Sequence, residues 1–172
     1  MRFRLFMLCA CVMISANAAD FTITTNAFPN NGIFPALYTC TDKDISPELS
    51  WSNPPPKTRS FVLILSDPDA PIDEWDHWIV YNIPSTVNGL EIDVQQLPKG
   101  SAIAKNSWGL ARYNGPCPPK GMVHTYLFTL YALDTELKLP AAPDGKAVRA
   151  AMENHILEKV QLSTVYKKHV EE

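Results

Sequence analysis

Residues 60–84 read SFVLILSDPDAPIDEWDHWIVYNIP, and this stretch restricts the possible folds more than any other in the chain. Two runs rich in β-branched and aromatic residues, FVLIL and WIVY, flank a short segment holding Asp67, Asp69, Glu74 and Asp76, two prolines and His77. Short apolar runs bounded by turn residues predict buried strands. If strands 60–67 and 77–83 pair antiparallel, the end of one and the beginning of the other share a rim of the sheet. Asp67 closes the first strand and His77 opens the second, so both side chains are expected at that rim. Pro68 and Pro71 restrict the backbone between them.

Further strands are expected at 21–28 (FTITTNAF), 124–133 (HTYLFTLYAL) and 162–167 (LSTVYK), each bounded by turn signals. One helix is expected late in the chain. Asp144 can cap it, and Val148, Ala151, Met152, His155, Ile156 and Val160 recur at helical spacing. His155 then falls on its apolar side, where core packing is expected. Leu90–Gln96 stays open as a shorter helix. Residues 98–121, rich in Gly, Pro and Asn, read as a long loop of the kind that often carries function. The 15 prolines are spread along the chain rather than massed in one segment, which argues against a disordered linker. Mostly β structure with a late α-helix predicts an antiparallel sandwich.

The first 18 residues stand apart. MRFR, LFMLCACVMI and SANA follow the layout of a cleaved secretory signal peptide, with Ala16 and Ala18 ahead of the cut. LCAC at 8–11 offers a rival reading as a lipoprotein processing box with Cys11 acylated. No apolar run is long enough to span a membrane as a helix. Cleavage leaves residues 19–172 as a single domain. It removes Arg2 and Arg4 and no acid, taking the formal charge from −3 to −5. A mildly acidic exported product is a poor nucleic-acid binder. Cys40 and Cys117 then remain, and in the periplasm or a secreted setting they are expected to pair; two free thiols are the alternative. A bridge would close about 77 residues and contribute roughly 4.5 kcal/mol by chain entropy.

A second stretch, YNGPCPPKGMVHTY at 113–126, is built like the first. A stiff Gly/Pro loop leads into a long strand, with His124 at its start. Tyr126 is two residues on and shares its face. Two histidines, an aspartate and a tyrosine at strand rims predict a small polar pocket. A metal triad of His77, His124 and Asp67 lacks ligand spacing, and no G-x-S-x-G elbow accompanies Ser66, so neither a metal nor any other cofactor is expected. Asp67-Pro68-Asp69 is also ordinary turn chemistry. The tryptophans 51, 75, 78 and 108 read as core or pocket walls, and His169 as a solvated tail residue.

DPDAP (67–71), EWDHW (74–78) and GPCPPKGMVH (115–124), with DISPELSW (44–51) ahead of them, resemble the signatures of the phosphatidylethanolamine-binding protein family, also called the Raf-kinase-inhibitor-like family. The resemblance runs from about residue 21 to 167. With a signal peptide and two mature cysteines, the chain looks most like the exported bacterial branch. The resemblance implies an antiparallel β-sandwich with a late helix and a pocket for phosphate or phosphoethanolamine-like anions. By position that pocket draws on Asp67, Asp69, Pro71, His77, Cys117, Pro118, Pro119, His124 and Tyr126. Three departures stand out. Thr125 replaces a common arginine, Cys117 stands where eukaryotic members often have glycine, and Asp76 replaces a histidine of some members, adding negative charge near the mouth.

The expected function is therefore non-enzymatic binding of a small anionic group, phosphate, phosphoethanolamine or carboxylate-like. Asp67 would either fix a histidine tautomer or meet a ligand ammonium. Two other readings are a protein-interaction module with a protein partner, such as a protease inhibitor, and a weak hydrolase using the same pocket.

Overall fold

The structure is a computed structural model that describes residues 19–72 and 74–168. The expected signal segment 1–18 and His169 lie outside the described residues. Strands β1 (Thr22–Thr24), β3 (Leu49–Ser52) and β6 (Gly89–Leu90) form a three-stranded antiparallel sheet in the order β1-β3-β6. Strands β2 (Gly32–Ile33), β4 (Ser60–Asp67), β5 (Trp75–Pro84), β7 (Ala102–Ile103), β8 (Val123–Leu133) and β9 (Ile156–Lys167) form a second sheet in the order β2-β9-β8-β4-β5-β7. Its ladders are antiparallel except at the edge, where β2 runs parallel to β9. Among the described residues, one helix, α1 (Gly145–Met152), completes the regular structure apart from a 3₁₀ turn at Ala36–Tyr38.

All eight residues of β4 are buried, which explains its unbroken apolar run. Phe61, Leu63 and Leu65 face the smaller sheet, packing with Trp51, Leu49 and the aromatic group of Phe28, Phe34 and Phe128. Val62 and Ile64 point the other way, into a second core closed by Val148 and Met152 of α1. The large sheet thus has the small sheet on one face and the helix on the other. Apolar burial of this kind contributes on the order of 1.5–3 kcal/mol per large side chain.

The strand at 60–67 has its expected bounds, whereas other elements shift. The first strand is only Thr22–Thr24, although Phe28 still enters the core. Residues 90–96 are not helical, and the loop 98–121 contains the two-residue strand β7. The larger correction concerns the helix. Asp144 caps it as expected, its Oδ1 accepting from Ala147 N at 2.8 Å, but the helix stops at Met152. Ile156 and Val160 belong to β9, which pairs with β8 from Lys167 back to Ile156. The alternation Leu162, Thr164, Tyr166, all buried, was the competing period-two signal. Ladder bonds along the whole of β8 outweigh a helical period carried by three residues. His155 consequently sits exposed in the turn, its Nδ1 2.8 Å from Asp134 Oδ1, and not in the core.

Candidate functional site

Asp67 ends β4 and His124 is the second residue of β8, its neighbour in the sheet. The Asp67 carboxylate accepts at both oxygens: Oδ1 takes the Asp69 backbone N–H at 2.9 Å, and Oδ2 faces His124 Nδ1 at 2.8 Å. The first bond is an Asx turn, the local habit of aspartate in D-P-D. The second fixes the His124 tautomer, since a carboxylate only accepts and Nδ1 must therefore carry the hydrogen. Asp69 turns away from the cavity and clamps the loop to β8, with Oδ2 accepting from Thr125 N at 2.7 Å. That bond holds its carboxyl below the usual carboxylate range.

His77 reaches the site through a β-bulge. Leu65 pairs with Trp78 and Ser66 with Asp76, so His77 is the extra residue. Plain alternation from Trp78 would send His77 to the helix side of the sheet. The bulge re-aims it, and its ring meets Tyr126 edge-on at 5.3 Å and Trp108 at 5.0 Å. Nδ1 of His77 lies 2.8 Å from the Asn114 carbonyl oxygen and 3.1 Å from that of Gly115. Burial pushes the His77 pKa below its ordinary value, opposed by those carbonyls and by the negative charges of Asp67 and Asp44.

Between the two imidazoles lies a cavity of about 240 Å³. Asp67, Pro71, His77, Cys117, Pro118, Pro119 and His124 line it, with Ala70, Ile72, Trp75 and Trp108 completing largely apolar walls. Of the residues anticipated from sequence, Asp69 supports the wall from behind, and Tyr126 is entirely buried under it. The Tyr126 ring stacks at 6.5 Å from His124. Its hydroxyl lies near Asp67 and the backbone of Cys117 but outside hydrogen-bonding geometry with the protein. Burial and the Asp67 charge push its pKa far above the ordinary phenol value.

Asp76 departs from expectation. It does not add charge at the mouth. It faces α1 and forms a two-point ion pair with Arg149, Nη1 to Oδ2 at 2.7 Å and Nη2 to Oδ1 at 2.6 Å. Glu74 joins the same cluster, accepting from Ser66 Oγ at 2.6 Å. The acidic loop is therefore split: Asp67 serves the cavity, Asp69 the β8 backbone, and Glu74 and Asp76 the helix side.

Residues that sequence reasoning missed hold the second wall. Asn106, buried, donates through Nδ2 to the carbonyls of His77 and Arg112 and to Asn114 Oδ1, and accepts through Oδ1 from Trp108 N and Leu110 N. Its Asx turn was a readable signal in N-S-W-G. Asp44 Oδ1 accepts from Gly115 N at 2.6 Å. A side chain on Gly115 would collide with the Tyr38 carbonyl oxygen, so only glycine allows this close approach. Cys40 and Cys117 form a disulfide that ties the same segments together. Lys168 Nζ lies 3.6 Å from Cys117 Sγ, but among the described residues neither Lys168 nor any other lysine or arginine is on the cavity wall. Among the described residues, no group of three His, Cys, Asp or Glu side chains is placed to hold a metal ion, and no helix is long and apolar enough to cross a membrane.

Comparison with known proteins places this arrangement. The chain is 44% identical over 149 residues to a UPF0098 protein of Methanothermobacter thermautotrophicus, covering 85% of this chain and 98% of that protein. The structure superposes on that of Escherichia coli YbcL, described as a new member of the mammalian PEBP family, with TM-score 0.80, 34% identity, and 87% and 99% of the two chains covered. For CT736 of Chlamydia trachomatis, described as a phosphatidylethanolamine-binding protein homolog, the TM-score is 0.79 at 35% identity, covering 86% and 97%. Residues 24–167 match the sequence model of the family described as phosphatidylethanolamine-binding protein, and the chain belongs to that family.

Proposed function

We propose that the protein is a non-enzymatic member of the exported bacterial branch that holds a small phosphate-bearing anion between Asp67, His77 and His124. The observation that carries this reading is that both imidazoles have Nδ1 committed to the protein, His77 to two carbonyls and His124 to Asp67, leaving Nε2 of each for an occupant of the shared cavity. Asp67 acts by orienting His124, because both its oxygens are already engaged. Cys117, Pro118, Pro119 and Pro71 shape the walls, Asp69 fixes the first loop, and Tyr126 supports both rings from beneath.

Two facts favour binding over catalysis. Ser66 Oγ is bonded to Glu74 on the helix side, and Cys117 is held as a disulfide, so neither is presented as a nucleophile. Export rests on the 1–18 segment read as a cleaved signal, with 19–172 as the mature domain in the periplasm or outside the cell. The Cys40–Cys117 bridge supports an oxidising compartment.

The test is a calorimetric titration of phosphoethanolamine into the oxidised protein, with His77→Ala and His124→Ala alongside. Saturable heat lost in both folded variants supports the reading. Undiminished binding in either variant places the anion elsewhere.

A further inference from the structure

The hydrogen-bond inventory of the cavity is unusual for an anion site. His77 Nδ1 faces two carbonyl oxygens, which only accept. Nδ1 therefore carries the hydrogen, and Nε2 of the neutral ring presents a lone pair where an anion would want a donor. The groups that face His77 are Asp67 at the end of β4, Asp44 behind Gly115, and Tyr126 on β8, with His124 beyond it. The fixed charges in this set, Asp67 and Asp44, are negative. Among the described residues no lysine or arginine is on the wall, and Thr125 gives only its backbone N–H, to Asp69. A fully ionised phosphate dianion would meet a lone pair at His77 and a carboxylate at Asp67.

A proton at His77 supplies the missing donor there and lowers the charge that the anion brings against Asp67. Resting on the anion-pocket reading above, we infer that the pocket takes up its anion together with one proton, held between a ligand oxygen and His77 Nε2, and that it thereby selects a phosphate monoester over a phosphate diester. The proton comes from solvent, and no covalent bond other than that N–H or O–H bond is made or broken. Burial disfavours the imidazolium in the empty site, so the proton is not already in place at neutral pH. A monoester has its second pKa near 6, so above neutrality it arrives as a dianion and must collect the proton on binding. A diester has no second ionisable oxygen. Its single charge is permanent and it offers His77 no phosphate hydroxyl, so the proton would have to rest on the ring itself, which burial disfavours.

The experiment titrates phosphoethanolamine and glycerophosphoethanolamine in parallel, at pH 6, 7 and 8, in two buffers of different ionisation enthalpy. The two compounds carry the same ammonium, and the second reproduces the diester of a lipid headgroup. The expected result is uptake of about one proton per phosphoethanolamine at pH 8, with affinity falling about tenfold from pH 7 to 8. The diester is expected to bind at least tenfold more weakly at pH 7 with no uptake. In His77→Gln, whose amide nitrogen donates near the place of Nε2, uptake should vanish and the pH dependence flatten, with folding checked by circular dichroism. Buffer-independent heat, a diester bound as tightly as the monoester, or uptake that persists in His77→Gln overturns the inference and leaves the anion pocket standing. Binding of neither compound at any pH overturns both.

Discussion

Asp67 Oδ2 and His124 Nδ1 lie 2.8 Å apart, both side chains buried, joining the end of one strand to the beginning of its neighbour. Because the other Asp67 oxygen accepts from Asp69 N, the carboxylate satisfies two donors at once. Asp67→Asn leaves one oxygen for two donors. Loss of a buried hydrogen bond costs about 1–3 kcal/mol, and equilibrium urea unfolding should show a decrease of that size. A variant as stable as the parent would mean that His124 is held by something else.

His77 sets a pH dependence in the empty protein. Burial lowers its folded pKa below the unfolded value of about 6.5. The unfolded chain thus binds more protons as pH falls through that value. The stabilising contribution of the neutral ring is complete above about pH 6.5 and is lost progressively below it. Unfolding at pH 5 and pH 7.5 should show this loss, and His77→Asn, which keeps an N–H for the Asn114 and Gly115 carbonyls, should show less of it. Asp69, whose carboxyl is also lowered, loses its contribution only at more acidic pH.

The Arg149–Asp76 pair links the helix to the strand that carries His77. Arg149 is about one third exposed and Asp76 nearly buried, so removing the cation strands a carboxylate in a partly dry site. Arg149→Met is expected to cost about 1.5–3 kcal/mol, the range for hydrogen bonds to charged groups. Gly145→Ala should destabilise as well, since the added methyl would collide with Asp76 Oδ2 and crowd Arg149. Thermal unfolding of the two variants checks both. An unchanged midpoint would mean that the ion pair is only a surface contact.

Much of this was readable before the structure. The strand at 60–67, the paired cysteines and the convergence of Asp67, His77 and His124 follow from strand runs, turn residues and the two loop signatures. What was hidden has a physical reason in each case. The bulge that turns His77 into the cavity depends on a register shift that alternation cannot show. Asp76 looked like a mouth residue because its partner, Arg149, lies 73 residues away. The end of α1 was misplaced because Ile156 and Val160 fit a helical period, and only pairing with β8 decides between the two. Asp44 and Asn106 act through backbone partners, which carry no residue-type signature.

The disulfide closes a separation of 77 residues. Paired Cys40→Ser and Cys117→Ser substitutions should lower stability by about 2–5 kcal/mol, with roughly 4.5 kcal/mol the chain-entropy value. Denaturant unfolding of the double variant and of the oxidised parent measures the difference. Because Cys117 is also part of the cavity wall, the same samples show whether anion affinity follows the bridge.

The proposed anion site depends on two imidazoles whose Nδ1 is committed to the protein, leaving Nε2 of each for the shared cavity. Imidazole ¹⁵N spectra of the oxidised protein, recorded while phosphoethanolamine is added, test it most directly. His77 and His124 are both expected to carry hydrogen on Nδ1 in the free protein, and both Nε2 resonances to move together and saturate with the ligand. Either ring in the opposite tautomer, or ligand saturation with both Nε2 resonances unmoved, would contradict it.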